Sequence, residues 1–97
     1  DDMIDTGGTI QKAAQALKAS GARKVIVAAT HAIFSDPATE RLQDPAIDQV
    51  VVTDTVPISA ERRFERLEVL PIAPLLARAI HEVFEDGSVT SMFGGDA

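Results

Sequence analysis

The sequence has no cysteine, which removes disulfides and thiolate metal sites from consideration. It has only two histidines, His31 and His81, too far apart in the chain to form a short-spaced metal pair. It contains no signal-peptide pattern and no apolar run of membrane-spanning length, so neither a membrane partner nor secretion is expected, and a cytoplasmic location is. Basic residues are outnumbered: nine Lys and Arg face fifteen Asp and Glu, for a net charge of −6. The two signs are interspersed, and no basic patch of the kind that grips nucleic acid occurs. Internal repeats and low-complexity stretches are absent as well.

What is present is concentrated at the start. Asp1 and Asp2 are followed by the apolar pair Met3-Ile4, a third carboxylate at Asp5, and the loop Thr6-Gly7-Gly8-Thr9. A helical pattern begins at once, with Ile10, Ala13, Ala14 and Leu17 at i, i+3, i+4 and i+7. A glycine- and hydroxyl-rich loop thus runs into a helix N-terminus, whose unpaired N–H groups and positive dipole end favour an anion. Gly7 and Gly8 allow close approach of the backbone and positive φ. Thr6 and Thr9 can add hydroxyl donors, while Asp1 and Asp2 suit sugar hydroxyls or a hydrated Mg²⁺. A phosphate cradle beside a carboxylate pair is the chemistry of a sugar phosphate.

The rest reads as an α/β chain. Helix is expected over residues 9–20, stopped by Gly21, and a strand buried on both faces over residues 24–30. Asp36 and Pro37 supply an N-cap and first position for a short helix through Leu42. Residues 49–53 and 67–70 are strands. A charged connection lies between the last two strands, where Arg62, Arg63 and Arg66 alternate with Glu61 and Glu65 and suggest a solvated or subunit-contacting segment. A long last helix carries Ile72, Leu75, Leu76, Ala79, Ile80, Val83 and Phe84 on one face, committed to the core, and ends at Gly87. His81 falls off that stripe and is expected in solvent, and His31 is expected to make a structural hydrogen bond. The order predicts an α/β layer with a mostly parallel sheet and flanking helices, the ligand loops gathering at the strands' C-terminal ends. In such folds a buried strand feeds the phosphate loop. No apolar run precedes Asp1 and there is no initiator Met, so the chain is expected to be the C-terminal part of a longer one, or a portion separated from it by a gap.

The opening stretch resembles the phosphoribosyl-binding motif shared by type I phosphoribosyltransferases and ribose-phosphate diphosphokinases (phosphoribosyl pyrophosphate synthetases). Three later stretches are similar to the diphosphokinases in particular: Ala29-Thr30-His31-Ala32-Ile33-Phe34-Ser35, Val51-Val52-Thr53-Asp54-Thr55-Val56-Pro57, and Ser88-Val89-Thr90-Ser91-Met92-Phe93 after the last helix. Ala32 departs from the glycine usual at that place.

The resemblance implies the C-terminal part of a phosphoribosyltransferase-like domain spanning residues 1–97. It implies transfer of the diphosphoryl group of ATP to ribose 5-phosphate, giving phosphoribosyl pyrophosphate and AMP. Asp1 and Asp2 would hold the ribose hydroxyls near Mg²⁺, and Asp5, Thr6, Gly7, Gly8 and Thr9 would wrap the 5-phosphate. Ser88, Thr90 and Phe93 would contribute to a regulatory site for ADP or phosphate between subunits of a homo-oligomer, commonly a hexamer. The catalytic lysine and arginine and most of the ATP site would lie upstream of Asp1, leaving this segment inactive alone. A non-catalytic associated subunit and a type I phosphoribosyltransferase are the competing readings. The first would show degraded carboxylates, but Asp1, Asp2 and Asp5 are intact. The second would not be expected to share the closing segments.

Overall fold

A computed structural model describes residues 1–85, Gly87 and Met92. Its elements are β1 (Met3–Ile4), α1 (Gly8–Ala19), β2 (Ile26–Ala29), β3 (His31–Ala32), α2 (Ala38–Arg41), β4 (Gln49–Thr53), β5 (Leu67–Leu70) and α3 (Ala73–Phe84), with a 3-10 turn at Ala60–Arg62. Every strand pairing is parallel, and the α/β architecture matches expectation. β4 lies between β2 and β5, with Val27 opposite Val50 and Val52 opposite Val69. β3 follows β2 after Thr30 alone and pairs on its other side with β1, Met3 against His31 and Ile4 against Ala32.

β1 is an element that sequence periodicity did not mark, since two residues show no period. It exists because its partner supplies the ladder: the His31 amide donates to the Asp2 carbonyl at 2.8 Å and that of Ile33 to Ile4 at 2.9 Å. For the same reason His31, expected in a loop, sits in a short strand.

The core gathers under one face of the sheet. Ile4, Val25, Ala29, Val50 and Val52 from the strand regions meet Ala14 of α1, Ala38 and Leu42 around α2, and Phe34 and Ile47 from the loops. Full burial of a Leu or Ile side chain contributes about 1.5–3 kcal/mol relative to exposure. Leu42 and Ile47, both fully buried, therefore anchor the connection between α2 and β4. Polar latches reinforce it. Asp44 accepts from the side-chain amides of Gln11 and Gln15, one turn apart on α1, and from the Ala46 amide. Asp48 accepts from the Val25 amide at 2.7 Å and pairs with Lys18 at 2.9 Å.

Three expectations are corrected. β2 is not buried on both faces, because Ile26 and Ala28 are exposed and no described element covers that side of the sheet. The apolar face of α3 is not committed to the core: Leu76, Ile80, Val83 and Phe84 are exposed, Phe84 to 85%. Amphipathic spacing marks which face could be buried, but burial needs an opposing surface, and among the described residues α3 meets none. Lastly, Asp36 does not cap α2. The helix starts one residue after Pro37 without a side-chain cap, and Asp36 instead pairs with Arg62 at 3.2 Å.

Candidate functional site

The loop between β1 and α1 forms the site. β1 delivers the chain at its C-terminal end, and Gly7, buried and left-handed with φ +78, turns it into α1 as the N-cap residue. A side chain at that φ costs roughly 1–2 kcal/mol, which is the reason for glycine there. The first intrahelical bond runs from the Gln11 amide to the Gly7 carbonyl at 2.9 Å. The N–H groups from Gly7 to Ile10 therefore lack helical acceptors. No side chain caps them, and no acidic residue occupies the first turn. A cavity of about 230 Å³ opens over them, lined by Asp1, Met3, Ile4, Asp5, Thr6, Gly7, Gly8, Thr9 and Ile10. Six of the seven residues expected to bind the sugar phosphate are thus brought to one hollow, Asp2 being the exception.

The carboxylates at its rim are placed differently from one another. Asp1 lines the cavity, and its Oδ1 accepts from the Asp2 amide at 2.8 Å. Asp2 is exposed and outside the lining, with its carbonyl taken up in pairing to His31. The two neighbours therefore do not both line the hollow. Among the described residues no three His, Asp or Glu side chains gather as a metal cage. The donor set fits a hydrated Mg²⁺ held by one or two carboxylates and substrate oxygens, the usual mode for that ion.

The neighbouring loops expected to gather there meet one another, and none of their residues lines the cavity. His31 Nδ1 lies 2.7 Å from the Thr55 hydroxyl, and the Thr53 hydroxyl donates to the Thr30 carbonyl at 2.6 Å. These bonds tie the ends of β2, β3 and β4 together, and His31 is thereby engaged structurally. His81 is exposed on α3. Glu61, Arg63, Glu65 and Arg66 are exposed, as expected of a solvated segment, yet the guanidinium groups of Arg62 and Arg66 are engaged by backbone carbonyls. Arg62 donates to the Phe34 carbonyl, and Arg66 to those of Ile47 and Gln43. Ser88, Thr90 and Phe93 lie outside the described residues.

One contributor was not visible in the sequence. Arg41, on α2 and thirty-five residues from Thr6, donates from Nη1 to the Thr6 carbonyl at 3.2 Å. Nothing in the local pattern Thr39-Glu40-Arg41 marks it, because only packing of α2 beneath the loop creates the contact.

Comparison with known proteins identifies the family and the fold. A family model described as phosphoribosyl synthetase-associated domain matches residues 1–94. The ribose-phosphate pyrophosphokinase of Corynebacterium efficiens is 60% identical over 97 residues, all of this chain and 30% of that protein. The ribose-phosphate pyrophosphokinase of Mycobacterium tuberculosis is 57% identical over the same span, again 30% of its length. A crystal structure of phosphoribosylpyrophosphate synthetase from Mycobacterium smegmatis superposes with a TM-score of 0.82 at 55% identity. It covers 90% of this chain and 29% of that one. The chain thus spans about 30% of the length of the curated relatives it matches.

Proposed function

Since the chain belongs to the phosphoribosyl synthetase-associated domain family, we propose that it forms the ribose 5-phosphate-binding segment of a ribose-phosphate diphosphokinase. One observation carries the reading: the uncapped N-terminus of α1, entered through left-handed Gly7, opens into a cavity that Asp1 also lines. A 5-phosphate dianion seated over the amides of residues 7–9 satisfies N–H groups that otherwise have only water. Asp1 accepts hydrogen bonds from the ribose hydroxyls, with Asp2 contributing from outside the hollow, and attachment at phosphate and hydroxyls fixes the direction of the sugar. Asp5 shapes the loop and offers its amide.

In the reaction, the anomeric hydroxyl oxygen bonds to the β-phosphorus of ATP. The bond from that phosphorus to the α,β-bridging oxygen breaks, AMP departs with that oxygen, and the hydroxyl proton is lost. Phosphoryl transfer depends chiefly on positioning and charge stabilisation, and this segment supplies the positioning of the acceptor. Mg²⁺, held near Asp1 and Asp2, supplies charge neutralisation when bound. Among the described residues no Lys or Arg lines the cavity, and the segment alone is expected to be inactive. In the whole protein it acts within a homo-oligomer, a hexamer, in which Ser88, Thr90 and Phe93 take part in regulation by ADP or phosphate.

The test is hydrogen exchange on the intact protein with ribose 5-phosphate. Slowed exchange confined to the amides of residues 5–9 is expected. Binding that leaves those amides unchanged, or protects another loop, overturns the reading.

A further inference from the structure

We infer that Arg41 is a positioning residue of the phosphate loop, acting from behind it. The inference rests on the ribose 5-phosphate reading above and adds a residue that no loop motif contains. Arg41 does not line the cavity. Its guanidinium lies on the far side of the loop, where Nη1 holds the Thr6 carbonyl at 3.2 Å. The peptide unit is planar and trans, so its C=O and N–H point in opposite directions. Drawing the Thr6 carbonyl back toward Arg41 therefore turns the Gly7 N–H forward, toward the cavity that Gly7 lines. Without that hold, the same peptide could rotate its carbonyl dipole toward the anion and repel it.

The anchor itself is firm. Arg41 lies between Ala38 and Leu42, both fully buried, and its amide and that of Leu42 donate to Pro37 and Ala38 at 3.1 and 2.9 Å. The guanidinium is also charged without an opposing carboxylate: among the described residues Arg41 forms no ion pair. Its field adds to that of the α1 N-terminus, where no acidic side chain stands in the first turn.

Gly8 now has a reason distinct from that of Gly7. Gly7 is required by its φ. At Gly8 a Cβ would lie 2.9 Å from Arg41 Nη1 and 3.5 Å from Cζ, so a side chain there would displace the guanidinium from its place.

The experiment compares wild type, Arg41→Met, Arg41→Lys and Gly8→Ala in the intact protein. Arg41→Met keeps the aliphatic stem against Gly7 and Leu42 while removing charge and donors, so it preserves the fold. Expected for Arg41→Met are about a ten-fold rise in Kd and KM for ribose 5-phosphate, the scale of one lost charge-assisted hydrogen bond. The kcat at saturating sugar should change less than about two-fold, and exchange of the free loop's amides at residues 7–9 should quicken. Arg41→Lys should recover part of the affinity. Gly8→Ala should move in the same direction more weakly, because a flexible side-chain end can yield. A folded Arg41→Met protein with wild-type affinity overturns the inference, as does an affinity loss with unchanged loop exchange. Failure of the underlying site is distinguishable: wild type would then show no protection by ribose 5-phosphate, whereas Arg41→Met would still quicken the free loop.

Discussion

His31 and Thr55 close the ends of neighbouring strands with a 2.7 Å contact from Nδ1 to Oγ1, and the Thr30 carbonyl lies 3.3 Å from the same hydroxyl. That carbonyl already accepts from the Thr53 hydroxyl at 2.6 Å. The single proton of the Thr55 hydroxyl serves either the carbonyl or Nδ1, and the tautomer of His31 goes with that choice.

Nitrogen-15 spectra of the imidazole should accordingly show one predominant tautomer in wild type and a shift away from it in Thr55→Val. The stability loss in that variant should be about 0.5–1.5 kcal/mol, toward the lower end because the contact is exposed. Imidazole spectra unchanged in Thr55→Val would contradict the contact.

Gly7→Ala should destabilise the protein by about 1–2 kcal/mol, the cost of a Cβ in the left-handed region. The nearest neighbours of that Cβ, at 3.7–3.8 Å, are ordinary contacts, so strain in the backbone and not crowding is the cause. Urea denaturation of wild type and variant checks it, with Thr9→Ala, on an exposed residue, as the near-neutral comparison.

Acid should loosen the junction of α1 and β2 through Asp48. Hydrogen bonding from the Val25 amide, then from Lys18, holds its carboxyl below the ordinary 3.8. A depressed folded-state pKa means the ionised form is the one favoured by folding. The stability it contributes is complete above the ordinary value and is lost as pH falls through the folded one. Asp48→Asn should be less stable than wild type near neutrality, and its stability should fall less between about pH 5 and about pH 2. Parallel acid-denaturation curves for the two proteins would show this wrong.

Burial rather than apolar character should decide the cost of truncation. Leu42→Ala removes a fully buried side chain and should cost about 2–5 kcal/mol. Ile80→Ala, on the uncovered face of α3, should stay within about 0.5 kcal/mol in the 97-residue chain. Chemical denaturation of both variants is the check. A large loss at Ile80 would mean that α3 packs in solution against a surface not identified among the described residues.

The carboxylates should separate by position. In the intact protein, Asp1→Asn and Asp2→Asn should each weaken ribose 5-phosphate binding, Asp1 more strongly because it lines the cavity. Glu82→Ala on α3 should leave binding unchanged. Calorimetric titration decides, and equal effects at all three positions would remove the carboxylates from the sugar site.

The sequence by itself determined the elements whose signals are local. β4 and β5 fall at the expected residues, and α1 is shifted by one at each end. Turn chemistry and side-chain period are written within a few neighbouring residues, and the glycine loop leading into α1 was legible on the same grounds. Tertiary structure decided everything that depends on a distant partner. Met3–Ile4 became a strand only because His31–Ala32 offered a ladder. Arg62 and Arg66 became loop clamps because the carbonyls of Phe34, Gln43 and Ile47 came within reach. The apolar stripe of α3 stayed open because no described surface faced it. Arg41 joined the phosphate loop across thirty-five residues because burial of Ala38 and Leu42 set α2 beneath it. The guanidinium's own neighbours in sequence carry no trace of that placement.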